Sequence, residues 1–127
     1  MQKSHEPIFV IQHHKSKTNH WDFRLEMNNT LKSWAITKQP PKTKGTKRLA
    51  IPTPNHPMNY ADFEGTIPEG QYGAGTVKIW DKGTYKLIEK SPKKIEFRLK
   101  GNKLKGNYVL IFTGYGAKKN GWLFFKI

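Results

Sequence analysis

Apolar side chains fall on every second position through most of this chain, and a glycine or proline breaks the pattern roughly every eight to twelve residues. That rhythm leaves no room for long amphipathic helices. It calls for many short strands, each with one face buried and one face turned away from the core. Nine segments read as strands: IFVIQHH, HWDFRLEM, LKSWAIT, KRLAI, TVKIWD, TYKLIE, KIEFRLK, NYVLIFT and WLFFKI. Turns are expected at Asn28-Asn29, Asp81-Lys82-Gly83 and Gly101-Asn102. The expected fold is all-β and mainly antiparallel with little helix, either a β-barrel or a strongly curved sandwich. Residues 38–75 hold most of the prolines and much of the glycine, and read as a long irregular loop with one helical turn near Pro57. A chain of 127 residues suits one domain, 1–127, with residues 1–8 as a short N-terminal arm.

Charge narrows the partners. Twenty-three Lys and Arg against nine Asp and Glu give a formal net charge of +14. That is the sign and size that attract a phosphate backbone. A membrane is the rival polyanion, but there is no basic amphipathic helix, no apolar run of spanning length, and no signal-peptide core in MQKSHEP. A soluble, cytoplasmic protein without a membrane partner is expected. The absence of cysteine rules out disulfides, thiolate chemistry and zinc fingers, so any metal must be held by His, Asp or Glu.

The stretch HHKSKTNHWDFRLE, residues 13–26, concentrates three of the five histidines. Alternation along a strand puts His20, Asp22 and Arg24 on one face and Trp21, Phe23 and Leu25 on the other. Val10, Gln12 and His14 share a parity on the preceding strand, and the connection KSKTN can bring both strands' histidines together. Two imidazoles and a carboxylate suit Mn²⁺, Fe, Co²⁺ or Zn²⁺, and the lack of thiolates favours Mn²⁺. Arg24, beside such an ion, would serve a phosphate bound to it rather than the ion itself. Spacing alone is equally consistent with a strand showing its polar side to water. His13 has the opposite parity and reads as packed or exposed, and His5 as part of the arm.

Elsewhere, a helical turn opening at Pro57 would set His56 and Tyr60 on one side, as hydrogen-bond donors or a general acid, or else as an ordinary surface turn. Arg48 and Lys38 lie near strand ends and would matter only by converging on that site. The run FEGTIPEGQYGAGTVKIW lacks the ending of a nucleotide-binding loop and leads into a strand, so a tight glycine turn is the better account, with Glu64 or Glu69 as supporting groups. Trp21, Trp34 and Trp80 read as core.

The segments FVIQHHKSKTNHWDFRLE, LKSWAITKQP, KRLAI, NHPMNYADFEGTIPEGQYGAGTVKIWDKGTY and WLFFKI resemble, in order, the motifs of the 3′-phosphoesterase module of bacterial DNA ligase D. The resemblance runs from Phe9 to the C-terminus. It implies a compact β-barrel whose curved face carries a Mn²⁺-dependent site that trims DNA 3′ ends. A phosphodiesterase step would remove a terminal ribonucleoside, and a phosphomonoesterase step would convert the 3′-phosphate to 3′-OH during nonhomologous end joining. It implies His14, His20 and Asp22 as metal ligands, and Arg24, Arg48, His56 and Tyr60 around the phosphate. Gln12 and Lys38 would support them. Implied partners are primer-template DNA and, in trans, a DNA ligase, a polymerase and an end-binding protein. The sequence departs from the family at Ile36-Thr37-Lys38-Gln39-Pro40, usually Val-Pro-Lys-Gly-Pro, and at Pro54-Asn55, usually an acidic pair. Only eight residues precede Phe9, whereas an arm there contributes to ribonucleoside removal in larger members, so the balance of the two steps stays open.

Overall fold

The computed structural model describes residues 6–71 and 73–127. The expected arm, including His5, lies largely outside the described residues, and Ile8 already belongs to the first strand. Nine strands follow in order: β1 (Ile8–Lys15), β2 (Asn19–Met27), β3 (Thr30–Ile36), β4 (Lys47–His56), β5 (Gly65–Ile67), β6 (Gly75–Ser91), β7 (Lys94–Lys100), β8 (Lys105–Tyr115) and β9 (Gly121–Lys126). All pairings are antiparallel, in the order β1-β2-β3-β4-β9-β8-β7-β6-β5. Pairing of β1 with β6 closes eight of them into a barrel and leaves β5 as a flap on β6. No helix among the described residues is long and apolar enough to cross a membrane.

The barrel interior is aromatic. Phe9, Ile11, Phe23, Leu25, Trp34, Phe97, Tyr108 and Phe124 form one buried cluster to which strands all around the barrel contribute. The Phe23 ring lies 4.8 Å from that of Phe124 and 5.7 Å from that of Phe97. Trp34 is buried, while Trp21 and Trp80 pack against the cluster and keep part of their surface exposed. The alternate residues of β1–β3 lie on the outer wall, and that is where the polar groups collect.

The Asn28-Asn29 turn is present, both residues at positive φ (52° and 62°), as a tight hairpin turn requires. The Gly101-Asn102 turn also joins β7 to β8. The turn expected at Asp81-Lys82-Gly83 is not there, because β6 runs straight through it. Asp81 instead turns inward and accepts hydrogen bonds from the Asn102 and Leu104 amides, both at 2.8 Å. Gly83 is required for close approach: a Cβ there would strike the Lys100 carbonyl. The 38–75 region is also more ordered than composition suggested. β4 continues through Pro52 and Pro54 to His56. The prolines are tolerated because pairing with β9 ends at Ala50, so the missing N–H groups cost no ladder bond on that edge. A 3₁₀ helix, Met58–Asp62, follows, the one helix among the described residues, with Pro57 as its cap rather than its first residue.

Candidate metal and phosphate site

Register assembles the site. His14 lies opposite His20 and Gln12 opposite Asp22 in the β1–β2 ladder, while Asp22 faces Ala35 and Arg24 faces Ser33 in the β2–β3 ladder. His14, Asp22 and Arg24 are buried and His20 is half-buried. With Thr53, His56, Tyr60, Ile67 and Ala74 they line a cavity of about 490 Å³ on the outer wall.

Three ligand atoms converge. His14 Nδ1 lies 3.1 Å from His20 Nε2, and Asp22 Oδ2 lies 3.3 Å from His20 Nε2 and 4.0 Å from His14 Nδ1. Donors bound at about 2.0–2.2 Å to one ion stand about 3–3.5 Å apart, so the triangle fits a small divalent cation after slight closure. His14 Nε2 lies 3.0 Å from the Ala74 carbonyl. A donated N–H there leaves Nδ1 with its lone pair free, the outer hydrogen bond typical of a metal-ligating histidine. The fit extends to chemistry, since two imidazoles and one carboxylate leave further positions open. His14, His20 and Asp22 are the residues that could hold the ion.

Arg24 is fixed beside this triangle. Its Nε donates to Gln12 Oε1 at 2.7 Å and Nη1 to Ser33 Oγ at 2.8 Å, Nη1 stands 3.0 Å from His56 Nδ1, and Nη2 lies 3.4 Å from Asp22 Oδ2. Its guanidinium carbon stands 4.9 Å from the Tyr60 ring centre. Gln12 holds a second element at the same time: its Nε2 donates to the Tyr60 and Phe63 carbonyls, at 2.8 and 3.1 Å. One buried amide therefore couples Arg24 to the 3₁₀ segment. The His56 and Tyr60 rings lie 4.5 Å apart, bringing together the pair expected on one side of that turn.

These contacts bear on protonation. His56 Nδ1 lies 3.0 Å from Arg24 Nη1, which can only donate, and 3.1 Å from the Pro54 carbonyl, which can only accept, so the two contacts call for opposite tautomers. Burial, reinforced by the Arg24 charge, holds His56 below the ordinary imidazole value. Burial pushes the Tyr60 phenol up, so it keeps its O–H at neutral pH.

Other expected residues lie apart. Arg48 has the parity of Ala50 rather than of the cavity-lining Thr53, does not line the cavity, and donates from Nε to the Gln39 carbonyl at 2.9 Å. Lys38 is exposed just past β3, toward the end of the sheet that carries His20. His13 stacks on Trp21 with ring centres 4.4 Å apart, away from the ligand atoms. Glu64 accepts from the Ile79 amide at 2.8 Å, and Glu69 is exposed on the wall of a neighbouring hollow. Ser33 was not singled out by sequence. A lone serine in LKSWAIT carries no signal until register sets it opposite Arg24.

An outer-wall triad of two histidines and an aspartate, backed by a clamped arginine on a small closed barrel, defines a candidate metal-assisted phosphate-ester site. Residues 12–112 match the DNA Ligase D 3'-phosphoesterase domain, and the chain belongs to that family. It is 42% identical over 123 residues, 93% of its length, to the multifunctional non-homologous end joining protein LigD of Pseudomonas aeruginosa. It is 46% identical over 109 residues, 83% of its length, to the protein of that name from Mycobacterium bovis and to a multifunctional non-homologous end joining DNA repair protein LigD of Mycobacterium tuberculosis. The chain spans only 14–15% of the length of these relatives.

Proposed function

We propose that this protein is a metal-dependent phosphoesterase that processes DNA 3′ ends, removing a terminal ribonucleoside, a 3′-phosphate or both to leave a 3′-OH for end joining. The observation that carries the reading is the single cavity in which His14, His20 and Asp22 face one another beside Arg24, His56 and Tyr60. Mn²⁺ is the proposed ion, with Co²⁺ and Zn²⁺ compatible with the same donors. When bound, it supplies Lewis-acid polarisation of a phosphate oxygen.

The chain's own residues do the rest. Arg24, already oriented by Gln12 and Ser33, neutralises charge that builds on the phosphoryl oxygens. Because it is held before substrate arrives, little reorganisation is needed at the transition state. His56, held toward its neutral form by burial and the Arg24 charge, donates a ring N–H to a phosphate oxygen, and Tyr60 donates its phenolic O–H. Lys38 and Arg48, at the end of the sheet toward His20, would contribute positive potential rather than a fixed contact. Primer-template DNA is the proposed substrate, and a ligase, a polymerase and an end-binding protein are the proposed partners in trans.

The test is a 5′-labelled primer annealed to a longer template, ending in one ribonucleotide or in a 3′-phosphate, incubated with Mn²⁺ and resolved on a denaturing gel. Conversion to a 3′-phosphate or 3′-OH product, abolished by EDTA and by His20→Ala, is expected. A primer bound but intact across several divalent metals would make the protein a DNA-end-binding module instead.

A further inference from the structure

The positive charge is segregated. Residues 27–61 and 97–127 contain thirteen of the 23 basic residues and none of the nine acidic ones. The rest of the chain is therefore nearly balanced, ten basic residues against nine acidic. In the fold the acid-free segments become neighbours, because β3, β4, β9 and β8 are consecutive in the sheet. Ten of the thirteen lie on β3, β4, β8, β9 or the β3–β4 and β8–β9 connections, and Arg98, Lys100 and Lys103 lie on β7 or its turn, so this side of the barrel carries most of the excess charge.

This side adjoins the cavity. Ala35 and Thr53 line it, and Ile51 pairs with Ala35 one strand further out. Against Ile51 sits the end of the β8–β9 hairpin: a Cβ on Gly116 would come within 3.3 Å of Ile51 Cδ1. Tyr115, at this hairpin end, is 60% exposed, more than any other large hydrophobic side chain among the described residues. Its backbone is held in place. Thr113 Oγ1 accepts from the Tyr115 amide and donates to the Gly121 carbonyl, both at 3.2 Å. Lys118 and Lys119 follow, both exposed. On β4, Lys47 lies 5.0 Å from the ring centre of Phe125 on β9.

A nucleic-acid strand whose 3′ end occupies the cavity must leave it in some direction. On the β5–β6 side the charge is mixed: Asp62 pairs with Lys82, and Glu64 and Glu69 stand against Lys78. On the β4–β9 side no acidic residue exists. We propose that the strand carrying the 3′ end leaves the cavity across β4 onto the β8–β9 hairpin, where Tyr115 stacks on a base and Lys118 and Lys119 contact backbone phosphates. Exposed aromatics stack on bases without regard to sequence, and flanking lysines add salt-dependent affinity. A surface of this kind suits an enzyme that must accept ends of any sequence. The inference rests on the proposed 3′-end activity for the direction of the strand, but the surface itself can be tested without catalysis.

The experiment is fluorescence anisotropy of a labelled oligonucleotide ending in a 3′-phosphate, titrated with protein in EDTA across a range of salt. Wild type is compared with Tyr115→Ala, Tyr115→Phe, the pair Lys118→Ser and Lys119→Ser, and a control pair of equal charge loss, Lys86→Ser and Lys90→Ser, on the exposed part of β6. Tyr115→Ala is expected to weaken binding about tenfold and Tyr115→Phe to restore it. The 118/119 pair is expected to lower the salt slope by about 1.5, and the 86/90 pair to leave it close to wild type. Equal losses for the two lysine pairs, or unchanged binding in Tyr115→Ala, would overturn the inference. Wild-type turnover of the same oligonucleotide with Mn²⁺ separates the two readings. Hairpin-dependent binding without turnover would sink the proposed activity and keep the surface, whereas turnover with hairpin-independent binding would do the reverse.

Discussion

The two faces of β2 are built from adjacent residues yet obey opposite rules. Phe23 and Leu25 turn into the barrel, where neighbouring side chains are interchangeable in kind so long as volume is kept. Asp22 and Arg24 turn outward, are almost as deeply buried, and are held by named partners at fixed distances. A barrel interior needs only apolar volume. A buried charged network needs each donor and acceptor placed, because a lost partner leaves an uncompensated group. The difference predicts that damage to the inner face should appear in stability and damage to the outer face in chemistry.

Substitutions on β2 and its neighbours can break that division. The largest effect is expected from His20→Ala: a loss of turnover on the order of a thousandfold or more, with thermal stability within a few degrees of wild type, since His20 is half-buried at a strand end. Steady-state rates with a calorimetric Tm would show it, and a large drop in Tm would mean the triad is structural. Phe23→Ala should do the opposite, destabilising by about 3–5 kcal/mol in urea unfolding while the folded fraction keeps most of its activity. Gln12→Leu straddles the two faces. It removes the acceptor of Arg24 Nε and the donor to two carbonyls, so a loss of about 1–3 kcal/mol should accompany a fall in kcat rather than a rise in KM alone.

The smallest effect is a pH dependence. His56 titrates lower in the folded protein than its ordinary value of 6.5, so between the two values the unfolded chain binds more protons. Its contribution is fully present above pH 6.5 and is lost as pH falls through the folded value. Urea unfolding at a series of pH values should show stability declining below pH 6.5, with a shallower decline in His56→Gln. An identical slope in the variant would mean that the imidazole is not held neutral by its burial and by Arg24.

Much of this was legible because alternation is a strong signal. The all-β class, most of the strands and the shared face of His20, Asp22 and Arg24 follow from period two, while closure into a barrel rather than a sandwich depends on the β1–β6 pairing, and His14 joins the face once the hairpin register is right. What failed was local punctuation. Asp81-Lys82-Gly83 has the composition of a turn, yet Asp81 serves the β7–β8 connection and Gly83 is small to admit the Lys100 carbonyl. Pro52 and Pro54 read as loop because sequence does not reveal which strand edge is unpaired. Ser33, the Ala74 carbonyl and the grip of Gln12 on the 3₁₀ segment all depend on contacts between distant parts of the chain. The roles given to Arg48 and Lys38 rest on family resemblance, and neither residue lines the cavity.

The outer face of β1 and β2 stands or falls as a metal centre on a Mn²⁺ titration of the protein followed by electron paramagnetic resonance of the free ion. The account predicts one Mn²⁺ bound per chain, lost in Asp22→Ala and retained in Phe23→Leu, the neighbouring change on the inner face. Binding that survives Asp22→Ala, or a wild-type protein that takes up no Mn²⁺, would contradict it.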